Sequence, residues 1–293
     1  MQEPQKAVFI INPKAGGKER KNLPHIIDNH LDKTKFSAKF ILTQRAGHAS
    51  EIAHEFVEEG VKIIVAVGGD GTINEVASSL IHSPTALGII PIGSGNGLAL
   101  HLGISKNIKK AVEQLNHSQI VEIDYGKANE IPFFCTCGVG FDAHISEEFA
   151  KSSKRGFVNY IKKTINAYFT YKPEEYQLIG ENINLTTTAF LITFANASQW
   201  GNNAYIAPKA NVTDGIMDIA ILSKFPLYSA PKLAIELFAK KIDNNFYINV
   251  LKAKNITIIR QYSGAFHRDG EPYEESKKID IQIINAGLKI LMN

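Results

Sequence analysis

Short apolar runs that end in glycine recur through the first 125 residues of this chain, and no other feature limits its fold as much. Ala7-Val8-Phe9-Ile10-Ile11 runs into Asn12-Pro13-Lys14-Ala15-Gly16-Gly17, Lys62 to Val67 into Gly68-Gly69-Asp70-Gly71, and Ala86 to Ile92 into Gly93-Ser94-Gly95-Asn96-Gly97. Between them lie helical stretches from Lys21 to Leu31, His48 to Glu59 and Thr72 to Ile81, and a further strand from Lys39 to Thr43. Runs that are apolar at nearly every position suit strands buried on both faces, and their alternation with helices predicts βαβ units on a mostly parallel sheet.

After about Asp124 the pattern changes to strand-like segments with few helices between them: Phe133 to Val139, Leu185 to Ala195, Ile216 to Leu222, Asn255 to Arg260 and Ile279 to Ile284. Two helical patterns lie near Phe157 to Phe169 and Leu227 to Lys240. The expected architecture is an α/β domain over residues 1–125 and an antiparallel, sandwich-like β-rich domain over 126–293, with a cleft between them. Whether the last strand returns to the first domain is left open.

The 293 residues are 44% hydrophobic and 21% charged, which excludes a disordered, collagenous or coiled-coil chain. A net charge of +3 with no long basic stripe argues against a nucleic-acid partner. The apolar start is too short for a signal peptide and no run reaches the roughly 18 residues of a spanning helix, so a soluble cytoplasmic protein is expected. Cys135 and Cys137 are read as facing apart, free of any disulfide or shared metal. The histidines, among them His48, His54, His101, His144 and His267, show no ligand spacing, and zinc is not expected.

Gly68-Gly69-Asp70-Gly71-Thr72-Ile73-Asn74-Glu75 lies where a buried strand passes into a helix, the position of the ligand crevice in an open α/β sheet. Glycines let a backbone approach a phosphate, and the free N–H groups of a helix start face an anion. An aspartate in such a loop repels phosphate unless a cation lies between them, which points to a nucleotide bound with Mg²⁺. The plainer alternative has Asp70 capping its own helix at Thr72 or Ile73. The turns after Ile11 and Ile92 should meet this one at one sheet edge, with Lys14 and Lys18 adding positive charge and Ser94 and Asn96 donating hydrogen bonds. None of the three fits a GxxxxGK[ST] phosphate loop or a GxGxxG fingerprint.

NPKAGG, GGDGTINEV and PIGSGNGLA, in this order, together resemble the diacylglycerol kinase catalytic-domain family, which includes bacterial lipid kinases and the sphingosine and ceramide kinases. The resemblance continues through Gly138-Val139-Gly140-Phe141-Asp142-Ala143, Asn211-Val212-Thr213-Asp214-Gly215 and Arg268-Asp269-Gly270-Glu271, and so spans nearly the whole chain. It implies an ATP-dependent kinase of a lipid hydroxyl that uses Mg²⁺ and works at the inner membrane surface. Matched by motif, Asn12, Lys14, Gly16, Gly68, Gly69, Asp70, Gly71, Thr72, Asn74, Ser94, Gly95 and Asn96 surround the nucleotide, with Thr43 reaching it from the second strand. Asp70 acts through the catalytic magnesium, and Glu271 is the general base with Asp269 beside it. The NVTDGI segment implies a structural magnesium on Asp214 and the carbonyls of Asn211 and Ile216.

One departure is Asn96-Gly97, where bacterial diacylglycerol kinases carry Asn-Asp; this weakens diacylglycerol as the acceptor and keeps a sphingoid-type amino alcohol open. Two rival readings are an NAD kinase-like phosphotransferase, which shares the GGDGT turn, and a nucleotide- or lipid-binding protein without catalysis. The GSGN turn and the late DGE motif favour the lipid kinase. For Glu271 alone, a solvated turn residue is the bland reading.

Lys151 to Pro173 holds six basic residues and no acidic one, with Phe157, Ile161, Ile165 (or Thr164) and Tyr168 at helical spacing. Such a helix suits an anionic lipid surface or, more simply, packs on the second domain with its basic face in water. Phe225-Pro226-Leu227-Tyr228 and the group Leu233, Ile235, Leu237 and Phe238 read as core, or as the lining of a lipid groove. The sequence leaves the oligomeric state open.

Overall fold

A computed structural model describes residues 3–17, 22–150 and 167–293. The chain divides into two compact units, one of residues 1–124 with 285–293 and the other of residues 125–284. Lys18 and most of the basic stretch, including Phe157, Ile161 and Ile165, lie outside the described residues.

In the first unit, β1 (Gln5–Ile11), α1 (Leu23–His30), β2 (Phe36–Leu42), α2 (His48–Glu58), β3 (Ile63–Gly68), α3 (Asp70–Leu80) and β4 (Ala86–Pro91) follow one another. Two more helices, α4 (Gly97–His101) and α5 (Ile108–His117), complete it; α5 buries Ala111, Val112 and Leu115, an apolar stripe at helical spacing, while α4 is too short to show one. The strands are parallel in the order β2-β1-β3-β4, and Ile290 near the end of the chain pairs with Leu87 of β4, also in parallel. Ile10, Ile64, Val65 and Ile90 are fully buried, as expected of strands covered on both faces. The return of residues 285–293 is fixed by Asp124, whose Oδ1 accepts from the Ala286 N–H at 2.8 Å, and by the His82 N–H, which donates to the Gly287 carbonyl at 2.8 Å.

The chain enters the second unit within β5 (Gln119–Ala128) and leaves it within a single long strand that starts at Lys278. Between these lie β6 (Ile131–Phe133), β7 (Thr136–Gly140), α6 (Phe141–Ala150), β8 (Glu174–Gly180), β9 (Ile183–Ala189), β10 (Leu191–Ala195), β11 (Met217–Leu222), α7 (Ala230–Phe238), β12 (Ile248–Ala253), β13 (Asn255–Arg260), β14 (Gly264–Arg268) and β15 (Glu271–Glu275), closed by β16 (Lys278–Met292). One sheet runs β12-β11-β10-β7-β14-β15, the other β16-β13-β8-β9, and all these pairings are antiparallel. Phe194, Ile192, Ile219 and Phe266 of the first sheet share one core with Tyr176, Leu178, Ile258 and Ile279 of the second, the interleaving of a sandwich.

Three sequence expectations are corrected here. Phe133 to Val139 is not one strand: it breaks at Phe134-Cys135, because those backbone N–H groups bond to a side chain instead of a ladder. Leu185 to Ala195 divides at Phe190 into strands of different sheets, and the Phe190 N–H donates to the Leu222 carbonyl at 2.7 Å. Residues two apart on one strand share a face; what separates the cysteines is the break, since Cys135 Sγ donates to the Gln199 carbonyl at 2.9 Å while Cys137 lies in the sandwich core. Neither cysteine is in a disulfide, and burial pushes the Cys137 thiol well above its usual range.

Gly140, which ends β7, has φ +100°, and a Cβ there would stand 2.6 Å from the Phe190 carbonyl oxygen and 2.7 Å from Leu191 Cα. Both obstacles are backbone and cannot swing aside. Gly140→Ala is expected to destabilise the second unit by roughly 3 kcal/mol, read as a lower midpoint in urea denaturation.

Candidate active site

The three glycine-rich turns leave the carboxyl ends of β1, β3 and β4, and side chains stitch them to one another. Asn12 Nδ2 donates to Thr72 Oγ1 at 3.2 Å, joining the first turn to the start of α3, and Asn12 Oδ1 accepts the Lys14 N–H at 3.0 Å. Asp70 joins the second turn to the third: its Oδ2 accepts the Asn96 N–H at 2.7 Å and its Oδ1 the Gly97 N–H at 2.8 Å. The local-cap reading of Asp70 is therefore corrected. It is the first residue of α3, yet its carboxylate serves the N-terminus of α4, where a negative charge meets the helix dipole.

Asn96 itself is fully buried with φ 58°, held by its Oδ1 accepting the Gly93 N–H at 3.1 Å and its Nδ2 donating to the Gly93 carbonyl at 2.8 Å. The turns also touch through bare backbone. A Cβ on Gly93 would lie 2.5 Å from Gly69 Cα, and one on Gly95 would lie 2.7 Å from Asp70 Oδ2. Any side chain at either position would push the second and third turns apart.

Asn12, Gly69, Asp70, Thr72, Gly95 and Asn96 are thus brought into one cluster. Lys14 and Ser94 are exposed beside it, Gly16 has φ 73°, and Gly71 and Asn74 are half-buried on the first turns of α3. The Thr43 N–H donates to the Ile11 carbonyl at 2.8 Å, which sets Thr43 next to the first turn. A Cβ on Gly68 would collide with Thr72.

Glu75 ends the same glycine-rich motif. Its carboxylate accepts the Gly47 and Ala49 N–H groups at 2.9 and 3.0 Å, and so supplies the cap that Gly47, with no side chain, cannot give α2. Glutamate followed by a helix elsewhere gives no periodicity signal, so only the motif itself marks it.

In the second unit, the DGE turn between β14 and β15 carries two carboxylates in opposite circumstances. Asp269, at φ 49°, accepts the Phe134 N–H on Oδ2 at 2.8 Å and the Cys135 and Thr136 N–H groups on Oδ1 at 2.7 and 2.9 Å. Glu271 is exposed and accepts from the Tyr273 hydroxyl at 3.2 Å. The Tyr273 ring lies 4.6 Å from the guanidinium of Arg268, a buried group ion-paired with Glu275. Burial first, and the Glu271 charge next, raise the Tyr273 hydroxyl above its ordinary range, which keeps it a donor. Next along β14, His267 is buried with Nε2 3.0 Å from Asp142 Oδ2, the atom that also accepts from Thr193 Oγ1 at 3.1 Å. Sequence spacing misses this group, because its members lie on three separate elements.

The NVTDG segment is a loop before β11 that buries Val212 and leaves Asn211, Thr213 and Asp214 exposed. Asn211 Oδ1 accepts the Thr213 N–H at 3.1 Å and its hydroxyl at 2.9 Å, and Asp214 Oδ1 accepts the Ile216 N–H at 3.1 Å. Among the described residues no three His, Cys, Asp or Glu side chains form a metal-binding group. The donors of this loop are all oxygens, the set a hard divalent cation takes. Nearby Asp218 is held above the usual carboxyl range by burial and by the Asp214 charge, against the pull of Lys252 at 3.2 Å. A cation on Asp214 would relieve that repulsion.

Asp269→Asn keeps the shape but turns one acceptor into a donor that faces a backbone N–H. It is expected to cost about 2–3 kcal/mol, seen as a lower denaturation midpoint.

Comparison with known proteins adds to this geometry. Residues 6–128 match the model of the diacylglycerol kinase catalytic domain, and residues 135–291 match that of the YegS C-terminal NAD kinase beta sandwich-like domain. A protein of Escherichia fergusonii named "Probable lipid kinase YegS" is 30% identical over 85% of this chain and 84% of its own length. One from Enterobacter sp., "Probable lipid kinase YegS-like", is 27% identical over 91% of this chain and 89% of its own. The crystal structure of a diacylglycerol kinase from Bacillus anthracis str. Sterne shares the fold with a TM-score of 0.77 at 20% identity, covering 100% of this chain and 98% of that one. An NAD kinase from Archaeoglobus fulgidus in complex with ATP gives 0.54 at 14% identity, over 99% and 94% of the two chains. The chain belongs to the diacylglycerol kinase catalytic-domain family, in the branch of lipid kinases whose second unit is the YegS C-terminal domain.

Proposed function

We propose that this protein transfers the γ-phosphoryl group of ATP to a hydroxyl of a lipid, diacylglycerol or a sphingoid-type alcohol, with Mg²⁺. The observation that carries this reading is the cross-stitching of three glycine-rich turns at the carboxyl ends of β1, β3 and β4 by Asn12–Thr72 and Asp70–Asn96/Gly97. It presents closely packed backbone with exposed Lys14 and Ser94 beside it, which suits a polyphosphate.

Asp70 has each oxygen engaged by one backbone N–H, and each retains a lone pair on which a divalent cation could be held. Magnesium, when bound, neutralises phosphate charge and orients the transferred group. Asn12, Gly69, Thr72, Gly95 and Asn96 shape the phosphate-facing backbone, with Gly16, Thr43, Gly68, Gly71 and Asn74 around it. Glu271 takes the proton of the acceptor hydroxyl as the oxygen attacks phosphorus. Its exposed carboxylate, steadied at one oxygen by Tyr273, suits that role. Asp269 supports the turn on which Glu271 stands instead of exchanging protons, since three N–H groups occupy it. Asp214, with the carbonyls of Asn211 and Ile216, holds a structural cation.

The test is transfer of labelled γ-phosphate to diacylglycerol, sphingoid bases, ceramide, phosphatidylglycerol and NAD in detergent micelles. Label is expected in a lipid. Glu271→Gln should lower kcat by roughly 10²–10⁴-fold with the KM for ATP little changed, and Asp70→Ala should abolish turnover. Label in NAD alone, or tight ATP binding with no acceptor labelled, would overturn the reading.

A further inference from the structure

The two apolar groups read as core, or as the lining of a lipid groove, separate in the structure. Leu233 is buried and Leu237 and Phe225 pack against the same cluster, but Ile235 is 68% exposed, Phe238 57% and Tyr228 82%. On α7, exposed Pro231, Ala234, Ile235 and Phe238 recur at helical spacing, so the outward face of this helix is as apolar as its inward one. A helix on the surface of a globular unit normally turns polar side chains outward.

The face extends beyond the helix. Phe246 is 94% exposed, and its ring lies 5.5 Å from that of Tyr247, which in turn meets Phe225, at the base of the Leu227-Tyr228 turn. The Asn245 side chain donates to Glu236 of α7 and so fixes Phe246 beside the helix.

The surrounding charge is one-sided. Lys224, Lys240 and Lys241 are exposed around this face, and the Lys240 ammonium stands 4.5 Å from the Tyr205 ring. The acids of the same stretch are turned inward and paired. The Glu236 side chain is 18% exposed and faces Lys232, and that of Asp243 is 11% exposed and bonded to Lys209 at 2.6 Å. Aromatic and aliphatic side chains that stand out of a rim of exposed cations match a bilayer interface with anionic headgroups.

We infer that α7 and the flanking Leu227-Tyr228 and Phe246 turns form the surface by which this protein lies on an anionic phospholipid bilayer. The inference rests on the lipid-kinase reading for its purpose, but the contact itself is tested without turnover. The measurement is co-sedimentation of the full chain with vesicles of phosphatidylcholine alone and of phosphatidylcholine mixed with phosphatidylglycerol. Wild type should bind the mixed vesicles preferentially and release with added salt.

Ile235→Ser/Phe238→Ser/Phe246→Ser should lower binding at least tenfold. Lys240→Gln/Lys241→Gln should lower it by roughly 25-fold on mixed vesicles and leave neutral vesicles unaffected. Because the replaced residues are exposed, the variants should keep the wild-type circular dichroism and melting temperature. They should also phosphorylate a short-chain, monomeric form of whichever lipid the micelle assay labels at the wild-type rate. Wild-type vesicle binding by both variants would overturn the inference. So would a change in the sedimenting mass of the free protein with vesicle binding intact, which would make the face a contact between two copies. Vesicle binding without labelling of any lipid would instead break the functional reading and leave the docking surface standing.

Discussion

A carboxylate that gathers backbone N–H groups from a distant loop is the interaction on which both units depend. Strand ends and sharp turns leave N–H groups without a ladder partner, and a buried donor without a partner costs more than a bond contributes. Asp70 takes two such groups from the third glycine-rich turn, and Asp269 takes three from the break between β6 and β7. Charge-assisted bonds of this kind are short and directional. Without Asp70, the left-handed Asn96 and the close backbone approach of Gly69 and Gly93 would lose the tie that holds one turn against the next. Glu75 repeats the device for α2.

The same view separates two acids that sit two residues apart. Asp269 is saturated by donors and works as scaffold, while Glu271 stands open to solvent on the turn that this scaffold sets. Identity of side chain does not decide the role; the number of backbone donors within reach does.

The parallel strands of the first unit were legible because β1, β3 and β4 are apolar at nearly every position, a pattern only two-sided burial explains. The glycine, asparagine and aspartate positions of the turns were legible because they follow those strands directly. What could not be read is whatever depends on a partner far along the chain. The break at Phe134-Cys135 is dictated by Asp269, and the partners of Asp70 lie on another turn. The Asp142, His267 and Thr193 group is assembled from three elements. The outward face of α7 is left between core and groove lining by the sequence for a different reason: side chains apolar on both faces of a helix carry no mark of which face is covered.

The long closing strand has a consequence for how the protein is made. Residues 285–293 belong to the first unit, and the whole second unit is therefore an insertion between the body of the first and its last segment. During synthesis the turns after β1, β3 and β4 emerge early, yet the sheet beneath them cannot gain its Leu87–Ile290 pairing, nor Asp124 its Ala286 donor, until the sandwich has been translated. Contacts spanning so much chain close slowly. The unit begun first is thus finished last, and the sandwich, whose own pairings close within residues 125–284, is free to fold while its host waits.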